Sequence, residues 1–506
     1  MFTDEALDSV SVQSLWRISQ QAAQESKGCQ TRAVHSTEAE AQTVSTNTSC
    51  TQTEPQYQAK EQLFQQNHDE PEPPGLKDFL QRVEDTVIRE LVRNARSHAF
   101  DEFQVNWEDY SQLVSCLHCL QHPSAQERGL HVTSVSWSCT GSVIACAYGR
   151  IDDGDWSTER SCVCTWNLDR RGLNPNQADL VIDVPTAVTA LCCHPSQPAL
   201  IAGGLYSGEV VVWDTSQTQD PVLVQTGMSA DSHREPVYQV VWVPLQKKGE
   251  FGVLSASSGG RVLLWTVDSD QGSFVLDAAY ALIRQQVPHS SNTSFKARGS
   301  STVGVTSLAL SPWDSDTFLV GSEGGLLLRC SFSSQTPAAA APSEGQSVTL
   351  RAPAVFTFRP RSGPVHSIDC SPFHRNLFVS AGTDGLAHVH SLLQTDPLLS
   401  LRVSDSYVFQ VQWSPTRPLV FAAASGQGEV QIFDLGRRSL RPAAVIEQGG
   451  ADRAATCLAF NRQNPHLLAV GKTDGTVCVW QLSHDLTEQS PRESAQLEQI
   501  ANQVAE

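Results

Sequence analysis

Residues 188–215 read VTALCCHPSQPALIAGGLYSGEVVVWDT. An alternating apolar run gives way to a polar turn, then to a run of small residues. A Ser207-Gly208 hairpin follows, and a β-branched run closes on Trp213-Asp214. Period-two alternation marks half-buried strands, and glycine supplies the positive φ of a tight hairpin. The same unit recurs along the chain, with copies starting near residues 132, 188, 237, 305, 365, 408 and 455. VTSVSWSCTGSVIACAYG (132–149) with SCVCTWNLD (161–169) is the first, and VYQVVWVP (237–244) with FGVLSASSGGRVLLWTV (251–267) the third. Further hairpins fall at Gly259-Gly260, Gly324-Gly325, Asp384-Gly385, Gln427-Gly428 and Asp474-Gly475.

Repeats of this kind resemble WD repeats, whose four-stranded blades close into a β-propeller. Trp213-Asp214 carries the signature dipeptide, and Trp166, Trp265 and Trp480 stand at the matching place elsewhere. Cys330, His390 and Phe433 replace that tryptophan in the fourth, fifth and sixth units. The Gly-His pair usual between WD blades is missing, so its hydrogen-bonded network is expected to be missing too. Outer strands fit DLVIDVP, PVLVQT, VFTF, LLSLRV and AAVIEQ. The last repeat lacks one of its own. It is expected to borrow FQVNWEDY (103–110) or RGLHV (128–132), so that no edge stays open.

The chain has 506 residues, 40% of them hydrophobic, which suffices for a large core. Its formal net charge of −19 argues against nucleic acid, anionic membrane or the acidic microtubule surface as a direct partner. No apolar run is long enough to span a bilayer, and the start MFTDEALDSV does not read as a secretory signal. A cytosolic protein is expected. Cys146, Cys164, Cys192, Cys370, Cys457 and Cys478 lie in apolar strand-like runs, where a reduced thiol behaves as a small hydrophobe. Cys116-Leu-His-Cys119 is a CxxC without a second half, and it reads as part of an apolar patch rather than a zinc site.

Between residues 25 and 62 only Val34 and Val44 are Ile, Leu, Val, Met or Phe, too few to offset the entropy of ordering. That stretch nevertheless holds three evenly spaced triplets: Cys29-Gln30-Thr31, Ala41-Gln42-Thr43 and Thr51-Gln52-Thr53. After PEPPG, the residues Leu76, Phe79, Leu80, Val83, Val87 and Leu91 recur at helical spacing on one face. Such a helix either packs on the following domain or binds a partner.

No catalytic site emerges. Gly471-Lys472-Thr473 has His466 where a phosphate loop needs its first glycine, and it enters a hairpin instead of a helix. No Gly-x-Ser-x-Gly, HExxH or paired CxxC occurs. Neither enzyme activity nor a cofactor is expected. Trp156, in the acidic insertion GRIDDGDWSTERS, reads either as a contact residue of the propeller or as a tryptophan folded back onto its own blade.

AGGLYSGEVVVWD, ACAYGRIDDGDWSTE, TWNLDRR and SPFHRNLFVSAGTDG resemble the WD-repeat dynein intermediate chains, and more narrowly those of the cytoplasmic dynein-2 motor. The resemblance implies that the propeller binds the tail of the dynein-2 heavy chain. It implies a roadblock-type light chain on the helix and small hub-type dynein light chains on the triplets. Those hubs prefer Lys-x-Thr-Gln-Thr and bind it as an added strand. Lys27 to Thr31 matches with Cys29 for the first threonine, Thr51 to Thr53 has the triplet but Ser49 for the lysine, and Ala41 to Thr43 is the weakest. Each hub is a dimer, so the tail would zip to a second dynein-2 intermediate chain. Cytoplasm, cytoskeleton and cilium, with axoneme and basal body, are the implied locations, and retrograde intraflagellar transport and cilium assembly the implied roles. A substrate receptor of a ubiquitin ligase is the competing reading, since many propellers serve there.

The expected organisation is an all-β, seven-bladed propeller preceded by a disordered tail and one amphipathic helix. The tail takes residues 1–74 and the helix 75–97. A connector at 98–130 supplies the closing strand, the propeller spans 131–484 and a charged tail 485–506.

Overall fold

A computed structural model describes residues 75–95, 113–150, 160–217, 219–245, 249–268, 272–288, 301–339, 347–437, 439–447 and 453–502. The chain divides into two units, Met1–Asn106 and Trp107–Glu506. In the first, the described element is one helix, Leu76–Ala95.

The second unit is a seven-bladed β-propeller. Its innermost strands begin at residues 131, 188, 237, 305, 365, 408 and 455, within a residue of the expected starts. The expected outer strands form at Leu180–Val184, Val222–Gln225, Ala354–Thr357, Leu399–Arg402 and Ala444–Glu447. In the third blade Ser273–Ala281 takes that place, and Leu350–Arg351 adds a short parallel fifth strand beside it. The six expected hairpin glycines have φ between +73° and +93°. At Gly208 and Gly385 a side chain would also collide with backbone carbonyls leading into the following blade, those of His233 and Ser404. Glycine is needed there twice over. The small residues of the second strand have a steric reason as well, since a Cβ on Gly203 would overlap the ring of buried Trp213.

Every innermost strand shifts register near its start, at Thr133, Thr189, Tyr238, Thr306, His366, Phe409 and Thr456. A bulge of this kind re-aims one side chain. Four of the seven are threonines whose hydroxyls donate to a carbonyl of the next blade. Thr133 reaches Val188 O at 2.5 Å, Thr306 reaches Val365 O at 2.6 Å, and Thr189 bonds Val237 O. Thr456 bonds Val132 O at 2.5 Å, which links the seventh blade to the first. Also from innermost strands, Ser134 accepts from the Leu191 amide, Ser367 from Val411, Gln410 from Leu458 and Gln412 from Phe460. Each such bond contributes about 0.5–1.5 kcal/mol.

The network expected to be missing with the Gly-His pairs is absent in the first and seventh blades, where the buried indole N–H groups of Trp166 and Trp480 have no partner among the described residues, but two other blades rebuild it. In the third blade His233, preceded by Ser232, bonds Ser255 Oγ at 2.7 Å, and the Trp265 indole donates to the same oxygen at 3.0 Å. In the fifth, Arg361 takes the histidine's place. It donates to Asp384, Ser380 and the Leu386 carbonyl, while His390 bonds Ser380 Oγ at 2.9 Å.

Two ends of the unit depart from expectation. The closing strand is Val114–Gln121, sequence VSCLHCLQ, antiparallel to the last strand Thr476–Leu482. It is not RGLHV, which leads into the first blade's innermost strand His131–Trp137, while FQVNWEDY lies outside the described residues. A bulge at Leu117 breaks the alternation that would have marked VSCLHCLQ as a strand. The C-terminal stretch, expected to be a charged tail, carries helices His484–Thr487 and Glu493–Asn502. Leu497 and Ala501 of the longer one are buried with Leu419 and Phe433 of the sixth blade. Its charge is what ties it down. Buried Arg417 bonds both Glu493 and Asp434, the latter at 3.1 Å.

Candidate partner-binding surfaces

In the helix Leu76–Ala95, Gly75 at φ 93° sets the first turn and its carbonyl accepts from the Phe79 amide at 3.0 Å. Asp78 in the first turn and Arg93 in the last oppose the helix dipole favourably. Leu76, Phe79, Leu80, Val83, Val87 and Leu91 fall within about 120° of one another at 100° per residue. All but Val83, which is half-buried, are exposed. Ile88 and Val92 widen the stripe and are exposed too. Val92 escaped the sequence reading, although its spacing of four from Ile88 was the available signal. Together these side chains form a continuous apolar stripe that is exposed along the helix.

The triplets at Cys29-Gln30-Thr31, Ala41-Gln42-Thr43 and Thr51-Gln52-Thr53 lie outside the described residues, and so does Trp156. Strands Val143–Gly149 and Ser161–Asn167 flank the insertion that holds Trp156.

On the ring itself, exposed Val181, Val222, Val275, Val355 and Val445 all sit on outer strands, the ordinary outward face of a blade edge. Trp313 differs. It occupies the turn between the first two strands of the fourth blade and is 52% exposed, with its indole N–H held by Ser371 O at 2.9 Å. A tethered, half-exposed tryptophan is a ready contact residue. Nothing in SPWDSD distinguished it from a tryptophan folded inward. Leu393, in the fifth blade's turn after its third strand, is exposed as well.

The fifth-blade histidines do not converge. Buried His390 stacks on Phe378, His388 Nδ1 bonds Ser400 Oγ at 2.8 Å, His366 lies against Tyr407 and Phe409, and His374 pairs with Glu498 at 3.4 Å. Burial pushes His388 down to about 4 and His233 down to about 3, so both are neutral structural groups. Lys472, the residue of the phosphate-loop lookalike, ends strand Leu467–Lys472 and enters a turn.

Residues 314–482 match the family model described as the Dynein axonemal intermediate chain 3 WD40 domain. Over 502 residues the chain is 51% identical to cytoplasmic dynein 2 intermediate chain 2 of Mus musculus, covering 99% of this chain and 92% of the relative. The chain belongs to the dynein intermediate chain family, in its dynein 2 branch. The Homo sapiens cytoplasmic dynein 2 intermediate chain 2 is 53% identical over 433 residues, 85% of this chain and 80% of the relative. Dynein axonemal intermediate chain 4 of Homo sapiens is more distant, 26% identical over 70% of this chain and 40% of that relative. No enzymatic family is indicated for this dynein intermediate chain.

Proposed function

We propose that this intermediate chain is a non-catalytic subunit of the cytoplasmic dynein-2 motor, with its partners divided between two regions. The propeller holds the heavy-chain tail. The helix Leu76–Ala95 holds a roadblock-type light chain, and the three Gln-Thr triplets hold small hub-type light chains that pair this chain with a second intermediate chain. In that role it supports retrograde intraflagellar transport and cilium assembly, and works in the cytoplasm and along the ciliary cytoskeleton, at axoneme and basal body.

The observation that carries this reading is the 51% identity to a dynein 2 intermediate chain across 99% of the chain, which runs through the N-terminal region as well as the ring. The exposed apolar stripe supports the helix's part in it, and the rigid ring suits a docking platform. The test is a pull-down of the heavy-chain tail with the full chain and with a variant lacking residues 1–74. Heavy-chain capture is expected to persist while hub light chains are lost. Loss of the heavy chain to the extent seen on removing the propeller would overturn the division.

A further inference from the structure

The CxxC that lacked a partner in the sequence finds one in the fold. Cys116 and Cys119 belong to the closing strand Val114–Gln121, and Cys478 to the last strand Thr476–Leu482. Residues three apart on a regular strand face opposite ways. Here the register runs Cys116↔Trp480, then His118↔Val479 and Cys119↔Cys478, so Leu117 is an extra residue. The bulge turns Cys116 onto the face that carries Cys119, and Cys478 stands directly opposite. All three sulfurs lie within 4.8 Å of one another, with Cys119 Sγ and Cys478 Sγ 3.3 Å apart.

We infer that Cys116, Cys119 and Cys478 form a zinc-binding site that clips the closing strand to the last strand of the ring. Three thiolates suit a soft d¹⁰ cation. A zinc–sulfur bond of about 2.3 Å puts tetrahedral sulfurs about 3.8 Å apart, inside the observed spread. Cys116 and Cys119 are exposed, which gives the ion an entry path and leaves water as the fourth ligand. Three thiolates on Zn²⁺ carry one net negative charge, and the neighbouring strand Leu467–Lys472 ends in the buried Lys472 ammonium, which is also paired with Asp474 at 3.9 Å. A Cys119–Cys478 disulfide fits less well, because side chains directly opposite on antiparallel strands have Cβ atoms about 4.5–5.5 Å apart, wider than a relaxed disulfide prefers.

Metal binding then couples to ring closure, since the two strands meet only in the folded ring. The test uses the full chain, reduced by a phosphine and freed of metal, titrated with Zn²⁺ and separately with Co²⁺ as a spectroscopic probe. One ion per chain is expected after gel filtration, with thiolate-to-cobalt charge-transfer absorption. Zn²⁺ should also slow amide exchange in residues 476–482. Cys116→Ser and Cys119→Ser, both at exposed positions, should weaken binding at least about 100-fold, while Cys139→Ser leaves it unchanged. The site is refuted if no charge-transfer band appears or if the band survives Cys119→Ser.

Discussion

Leu120→Ala tests whether the borrowed strand belongs to the ring's cooperative core. Leu120 is fully buried, packed in one cluster with Ala125, Leu130, Tyr148 and Val477. Leu-to-Ala truncation at such a site costs about 2–5 kcal/mol, from lost transfer energy plus the cavity left behind. Taking about 3 kcal/mol, opening of the seam should become roughly 10²-fold more frequent, at 1.4 kcal/mol per factor of ten. The assay is amide hydrogen exchange of strand Thr476–Leu482, whose outer side is covered by the closing strand. Leu117→Ala is the control: the same strand, the same chemical change, but at a bulge residue that is 44% exposed. It should stay within about 0.5 kcal/mol, a two- to threefold change in exchange. If the two variants speed exchange equally, the closing strand is a loosely laid flap and Leu120 is not part of the core. The proposed light-chain segment precedes this strand in the chain, so the answer also decides how firmly it is anchored.

Four further outcomes are expected. Burial beside the channel raises the Asp369 carboxyl to about 6, above the ordinary aspartate value, so its stabilising share is present below about pH 4 and lost as pH rises through 6. Asp369→Asn, which keeps an acceptor for the Trp413 amide, should stabilise the ring by about 1–2 kcal/mol at pH 7.5 and by nothing at pH 4 in urea titrations. Glu493→Ala leaves buried Arg417 with Asp434 as its remaining carboxylate partner, at a cost of about 1.5–3 kcal/mol for the lost charged hydrogen bonds, and should release helix Glu493–Asn502 to trypsin at Arg492. Val83→Asp with Leu91→Asp should weaken roadblock light-chain binding at least about 100-fold while melting of the ring is unchanged; aggregation or unfolding would instead mean that the helix packs on its own chain. Replacing Gln30, Gln42 or Gln52 singly by alanine should reduce the light-scattering mass of the tail–light-chain complex only in part, and all three together should abolish it, because neighbouring sites hold the two tails at high effective concentration.

The ring was legible because its signals are local. Alternation, a Gly hairpin and a β-branched strand repeat within each unit, so the strand starts could be read to within a residue and the hairpin glycines one by one. The helix was legible for the same reason, its stripe being a property of twenty consecutive residues. What escaped depends on substitution by a different residue or on register across distance. Arg361 does a histidine's work in the fifth blade, and no local pattern announces that a guanidinium will bridge Asp384, Ser380 and Leu386. Arg417 and Glu493 lie 76 positions apart, so a charged C-terminal stretch looked like a tail when its acid was in fact its anchor.

The closing strand makes the point most sharply. A bulge is an insertion of one residue into a period of two, and it therefore erases the pattern by which strands are found. The same insertion is what places Cys116 and Cys119 on one face. Cys478, their third member, is 359 positions from Cys119 and becomes a neighbour only when the last blade borrows its outer strand from the start of the ring. The feature that hid the strand thus also assembles the thiol cluster. Any ligand that needs all three sulfurs is a ligand of the closed ring alone, and it must favour closure by as much as it prefers the assembled site to the separated thiols.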